Sequence, residues 1–397
     1  MFEKIKSYLN FRYFLYYFSL IAGYPCVFFL LGWLPHYTVN YLLLLMLATL
    51  FVVIKNEYRL PLSISTLMLT QIATWGMYSV IHGVDTSYFT RILMLVITYL
   101  FLEMQLSDER AGFIKTYNLW LVFQVVAGSI GFLLVLSGIL HPIFEFREMD
   151  MRPGYFFGLF TTNTYFDGLV RNAGFYDEPG ALAFWGMQAL LINKLFIKNK
   201  KIELLLIFGL ISTLSLAYFI QVAIYIYFFY KKERRRLLPY IIAFMLAIIL
   251  VSTFSEQIND AVFGRLEYNE DTGTIAGDNR TVLMERCWRI FCDYPILGLG
   301  ASDLVSQAKS TYGFVGANFF YNWAADGIVG FIITYLPLFY IISLGRYDRK
   351  FYVVSLIMFI GFLQRPYDST QLLYPLMNYT ILLHSYLNLK RASEIEQ

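Results

Sequence analysis

Arg171-Asn172-Ala173-Gly174-Phe175-Tyr176-Asp177-Glu178-Pro179-Gly180 sets an arginine, a glycine and two adjacent acids directly ahead of a proline and an apolar run. The stretch closes a polar segment that begins near His141 and interrupts an otherwise hydrophobic chain. Proline is favoured at the first helical position, so a helix is expected to start here. Charges beside an apolar phase are costly unless they pair or handle a charged ligand. Two readings follow from these residues: a site for a charged substrate, or a capped loop in which Arg171 pairs with Asp177 or Glu178.

Outward from this point the chain is 58% hydrophobic and 19% aromatic, with 15% charged residues over 397 positions, too little polar surface for a water-soluble domain. An all-α polytopic membrane protein is expected, with 1–397 as a single membrane domain. Apolar runs near the ~20 residues that span a bilayer recur along it. They fall at 11–33, 39–54, 62–82, 88–106, 115–140, 180–197, 202–230, 237–254, 319–343, 351–364 and 371–389. The first run is too long for a signal-peptide core and is expected to stay. Cys26, Cys287 and Cys292 form no metal pattern. On a continuous helix Cys287 and Cys292 would lie roughly 8–9 Å apart, too far for a disulfide.

The linkers 55–61, 107–115, 198–201, 231–236 and 345–350 are basic and should face the cytoplasm. Both flanks of 202–230 are basic, so that stretch must cross twice or re-enter. A break near Ser212-Thr213-Leu214-Ser215 would give two limbs shorter than a full span. With that pair there are about 12 segments, and both termini are cytoplasmic.

This topology leaves two large periplasmic loops, 141–179 and 255–318. The basic residues on the outer side are Arg91, Arg147, Arg152, Arg171, Arg265, Arg280, Arg286, Arg289, Lys309 and Arg365, nearly all arginine. Arginine keeps its charge in poorly hydrated sites and matches carboxylate and phosphate with a planar fork, so the outer face looks built to hold an anion. Pairing with Glu145, Glu148, Asp150, Glu267 or Asp271 is the alternative for several of them. Leu266 to Gly277 reads as a mobile flap. Residues 280–293 read as an interfacial amphipathic helix presenting Arg280, Arg286 and Arg289. Asp326 lies within the outer part of a span, either with a role or bonded to a tyrosine. Near the end, Arg365 with Asp368 is a plausible structural pair.

Three motifs in this order, R-x-x-G-x-x-x-E-P at 171–179, N-R followed by P-I-L-G-L-G at 279–300, and N-F followed by D-G-I-V-G at 318–330, resemble the O-antigen polymerase and ligase superfamily. The resemblance covers roughly 140 to 330. It implies a GT-C-like membrane glycosyltransferase of surface polysaccharide (lipopolysaccharide) biosynthesis. A polyprenyl-diphosphate-linked oligosaccharide would be donor, a second such glycan the acceptor, and polyprenyl diphosphate the leaving group. Arg171 and Arg280 would hold the diphosphate, with Arg289 or Arg365 assisting, and Arg286, Asn318 and Tyr176 would also contact substrate. Membrane lipid and a chain-length regulator protein are implied partners; nothing calls for nucleic acid.

No cofactor is expected, and no metal: there is no D-x-D, and His36, His82, His141 and His384 are scattered. Ligase-type members place a histidine just before the asparagine of the third motif, where this chain has Ala317. That departure favours a polymerase and leaves Glu178, or else Asp326, as the general base. A helix-dipole role beside Pro179 is the alternative for Glu178. An O-antigen ligase and a polysaccharide flippase or transporter remain the competing readings. Phe156, Phe157, Tyr165, Phe175 and Tyr176 would stack on sugars or seat the first loop in the interface.

Overall fold

The computed structural model describes residues 2–35, 37–55, 60–108, 111–147, 153–160, 162–164, 170–230, 268–269, 274–275, 280–306, 308–316 and 318–395. The expected span 237–254, the basic linker 231–236, most of the 255–279 stretch, His36, Arg59, Arg110, Arg152, Tyr165 and Ala317 lie outside them. Of the flap, the described residues are two short antiparallel strands, Tyr268–Asn269 and Thr274–Ile275.

The architecture is a helical bundle. Its first half comprises α1 (Phe2–Ala22), α2 (Val27–Leu30), α3 (Tyr37–Lys55), α4 (Leu62–Ile81), α5 (Thr86–Leu106) and α6 (Gly112–Leu136). Then come α7 (Pro179–Ile192), α8 (Lys200–Gly209), α9 (Leu216–Phe229), α10 (Arg280–Asp293), α11 (Ala301–Ser306) and α12 (Ala308–Thr311). The last four are α13 (Tyr321–Thr334), α14 (Leu336–Leu344), α15 (Lys350–Gln364) and α16 (Leu373–Ile395). Among the described residues five helical stretches are long and apolar enough to cross a membrane: Tyr37–Ile54, Thr86–Leu106, Gly112–Leu136, Pro179–Ile197 and Tyr321–Leu344. Two shorter apolar helices, Leu216–Phe229 and Lys350–Gln364, accompany them. Many leucines, valines and phenylalanines on α3, α4 and α6 face outward, as expected of surfaces turned to lipid.

The first expected span differs from the structure. A single helix over 11–33 does not form; α1 ends at Ala22 and the chain bends at Gly23 and Tyr24 before an extended Cys26. Pro25 has no amide hydrogen and disfavours helix at Tyr24, which explains the stop. A second difference lies in the first loop, where Phe144–Arg147, Pro153–Phe156 and Thr162–Thr164 pair as a small antiparallel sheet.

Among the described residues, two helix breaks are each satisfied by another segment of the chain. The hairpin α8–α9 turns through a 3-10 turn at Leu210–Thr213 and a left-handed Leu214. This is where Ser212-Thr213-Leu214-Ser215 predicts it. The second break is at Gly327 in α13, with φ 63° and ψ −168°. In an unbroken helix the Ala324 and Ala325 carbonyls would accept from the Ile328 and Val329 amides. Here they accept from Leu299 and Gly300 at 2.9 Å each, while Ile328 and Val329 donate to Pro295 at 2.9 Å and Ile296 at 3.3 Å. The P-I-L-G-L-G segment thus slots into the D-G break like a strand. A Cβ on Gly298 would sit 2.3 Å from the Ala325 carbonyl oxygen, and one on Gly327 would sit 2.3 Å from that of Ile296. The two motif glycines exist for this close approach.

Candidate active site

The decapeptide that opens the second half of the bundle is threaded into it. Arg171, Asn172, Ala173, Phe175 and Tyr176 are buried. Asn172 organises the stretch: its Nδ2 donates to Ser212 Oγ at 2.9 Å, its Oδ1 accepts from the Gly174 amide at 3.0 Å, and its own amide donates to the Ser212 carbonyl at 3.1 Å. The motif therefore docks on the turn of the α8–α9 hairpin. Gly128 on α6 makes room, since a Cβ there would lie 1.9 Å from Asn172 Oδ1. Farther along, the Phe175 amide donates to Gln124 Oε1 at 2.9 Å, and Tyr176 bridges Cys26, just after α1.

Asp177 and Glu178 emerge half-buried at the mouth of this loop, just before Pro179 starts α7. Glu178 forms an ion pair with Arg365 from the end of α15, and Gly180 leaves space for that guanidinium. Tyr24 and Tyr367 share a hydrogen bond of 2.8 Å beside them, and both rings pack on Trp185. Burial first, then the neighbouring Glu178 charge, pushes the Asp177 carboxyl up to about 7; Arg365 opposes the rise. Its Oδ1 has no hydrogen-bond partner among the described residues. Asp177 is a site residue that sequence reasoning missed, although its position beside Glu178 was a signal of a strained carboxyl pair.

A second charged group adjoins the first. Arg91 on α5 donates to Asp326 at 2.7 Å and to Asp368 at 2.8 Å, with both Arg91 and Asp326 buried. Tyr88 donates to the other Asp326 oxygen at 3.0 Å. The expected Arg365–Asp368 pair is thus replaced by two crosswise pairs, because Arg365 points to α7 and Asp368 to α5. The residues 365–368 connect the two groups, and Asn322 Nδ2 holds the Pro366 carbonyl at 3.0 Å.

On the same helix as Arg91, Asp85 at the start of α5 accepts from the Ser302 amide at 2.9 Å and the Ser302 hydroxyl at 2.5 Å. Burial pushes its carboxyl up, but the hydrogen bonds from Ser302 and Ser87 outweigh that and hold it below the usual carboxylate range. The opposite end of α7 is basic: Lys194, in a π-helical turn, pairs with Glu203 at 3.0 Å.

The remaining expected site residues lie on α10 and the start of α13. Arg280 opens α10, but its side chain is outside the described residues. Arg286 donates to the Phe314 carbonyl at 2.8 Å, and Arg289 pairs with Glu285 one turn away. Asn318 is buried and donates to Gly316, at 2.8 Å, and to Cys287 while accepting from the Phe320 amide, so it fastens α10 to α13. Tyr176 is buried against Tyr24. Among the loop aromatics, Phe156 packs on Trp33 and Phe144, and Phe175 stacks on Trp120. Those rings seat the loop. No group of three potential metal ligands occurs among the described residues; Glu267 and Asp271 lie outside them.

The fold defines a polytopic helical membrane protein in which a part-buried ion pair, Glu178 with Arg365, joins the end of the 171–180 motif to the end of α15. Residues 202–335, about a third of the chain, match the family model described as O-antigen ligase. Over that stretch the chain is similar to the O-antigen polymerase/ligase superfamily, without distinction between polymerase and ligase. No curated relative and no solved structure matches the chain. The 171–180 motif precedes the matched residues, and its tie to them is the Asn172–Ser212 contact.

Proposed function

We propose that the chain is an O-antigen polymerase of the inner membrane, with both termini cytoplasmic. It joins polyprenyl-diphosphate-linked oligosaccharide units on the periplasmic face and releases polyprenyl diphosphate. The observation that carries this reading is the contact of Glu178 with Arg365 beside Asp177. It sets proton-accepting carboxyls next to a permanent cation, which is what displacement of a diphosphate by a sugar hydroxyl requires. The acceptor oxygen attacks the anomeric carbon, its proton passes to the carboxyl pair, and the bond to phosphate breaks. Charge growing on the leaving diphosphate is met by arginine donors, with Arg171 and Arg280 as the holders and Arg365 assisting. The Nε of Arg365 is buried and has no partner among the described residues, so donor capacity remains on that fork. Arg289 and Arg286, on α10, would contact the lipid headgroup.

A ligase reading is favoured by one observation. His82 stacks on Tyr88, and its Nδ1 lies 3.0 Å from where a Cβ on Gly300 would be. An imidazole is therefore present beside the second motif, supplied by α4. A transporter draws less support, because the backbone groups freed at Gly327 are taken up by 295–300 and are not left for a substrate.

The test is to incubate the purified protein with a polyprenyl-diphosphate oligosaccharide, with and without a lipid A core acceptor. A ladder of longer lipid-linked chains is expected. Product only on lipid A core would establish a ligase, and substrate movement across vesicles without either product would establish a transporter.

A further inference from the structure

We propose that Arg91, which makes no contact with the Glu178–Arg365 pair, is a positioning residue for it, acting through Asp368 and the four-residue strap 365–368. This rests on the reading that the Glu178–Arg365 pair serves glycan transfer.

Arg91 is 2% exposed, and its two terminal nitrogens go to carboxylates on different segments, Asp326 on α13 and Asp368 just before α16. The Asp368 side chain is further fixed by the Thr370 amide at 2.9 Å and the Thr370 hydroxyl at 2.5 Å. From Asp368 the strap runs back through Tyr367, held by Tyr24, and Pro366, held by Asn322, to Arg365. Each residue of the strap is therefore tied to a different element, and Arg365 is delivered to Glu178. Two carboxyl groups turned onto one buried guanidinium are an expensive way to hold helices together when apolar side chains would do as well. The arrangement makes sense if it fixes direction: a guanidinium fork can hold two carboxylates at set angles, and an ammonium cannot.

The test uses full-length protein in a Cys292→Ser background carrying Ser369→Cys, a buried position at the strap. Asp368→Asn is the first variant, since it leaves Arg91 paired one to one with Asp326; Arg91→Lys is the second. Thiol labelling at residue 369 reads the strap without any reaction. Both variants should label at least tenfold faster than the parent while remaining monodisperse. In the transfer assay kcat should fall at least tenfold with KM for the lipid-linked donor within twofold, and Asp368→Glu should recover part of it. Unchanged labelling in Asp368→Asn would overturn the proposal, whatever the enzyme's reaction proves to be. Faster labelling with unchanged kcat would equally overturn it, since the strap would then move without consequence for Arg365. If the parent shows no transfer, the functional reading fails, and labelling still decides whether Arg91 sets the strap.

Discussion

Replacing Gly327 by alanine should unfold the contact on which two sequence motifs meet. The residue has φ 63° and ψ −168°, a region open essentially to glycine alone, and forcing a side chain there costs of order 1–3 kcal/mol. The added Cβ would also lie 2.3 Å from the Ile296 carbonyl oxygen, which is backbone and cannot swing aside. Relief requires moving 295–300 away from α13, with loss of some of the four backbone hydrogen bonds between them. At about 0.5–1.5 kcal/mol each, losing two adds roughly 1–3 kcal/mol. The sum is about 4 kcal/mol, a large share of the ~5–15 kcal/mol that holds a typical domain together. Thermal unfolding in detergent reads the effect, with Gly76→Ala as control. Gly76 is in α4 with nothing near its Cβ position, so alanine there should be neutral or stabilising by up to ~1 kcal/mol. If Gly327→Ala melts with the control, the strand-in-helix account of the motif glycines is wrong.

Three other outcomes follow. Glu178→Gln should lower transfer about 10²-fold or more while a folded protein is still recovered, because it removes an acceptor carboxylate and the partner of Arg365; near-normal rates in the transfer assay would remove Glu178 from the chemistry. Burial and the Glu178 charge hold the folded Asp177 carboxyl up, to about 7, against about 3.9 in an unfolded chain. The folded state thus holds a proton the unfolded state has lost, and the stability this group contributes is full below about pH 4 and lost as pH rises through 7. Asp177→Asn should therefore raise the melting temperature relative to wild type more at pH 8 than at pH 5, and an equal difference at both would contradict that environment. Asn172→Ala should cost about 2–3 kcal/mol, since it strips the Gly174 amide of its acceptor and Ser212 of a donor inside the bundle. Denaturant or thermal melts test it, and a change under ~0.5 kcal/mol would show that the motif does not depend on this hub.

Much of the architecture was legible because lipid imposes a local code. Apolar length marked α3 to α6, α7 with the π-helical turn after it, α15 and the start of α16 within a few residues, but it read α13 and α14 as one span and did not show the break at Gly327. The turn at 210–215 followed from two basic flanks around one long apolar run, a constraint of charge placement that needs no structure. The helix at 280–293 followed from apolar periodicity. Glu178 and Arg365 were both marked as chemically distinctive, but the partners considered for them were Arg171 and Asp368.

Their partnership belongs to the tertiary structure. Arg365 had Asp368 three residues away and took Glu178, 187 positions distant, while Asp368 and Asp326 converged on Arg91. In sequence these carboxylates are equivalent partners for any arginine, because ionic attraction carries no address. Helix packing supplies one, by deciding which charge each side chain meets once water is excluded. The same holds for Gly298 and Gly327. Sequence marks both as permissive points, but only the apposition of 295–300 with the break in α13 shows what they permit. Composition and charge placement along the chain determined that this is a many-spanning helical membrane protein, because lipid tests each segment separately; which charges share a site was decided by the packing of helices far apart in sequence.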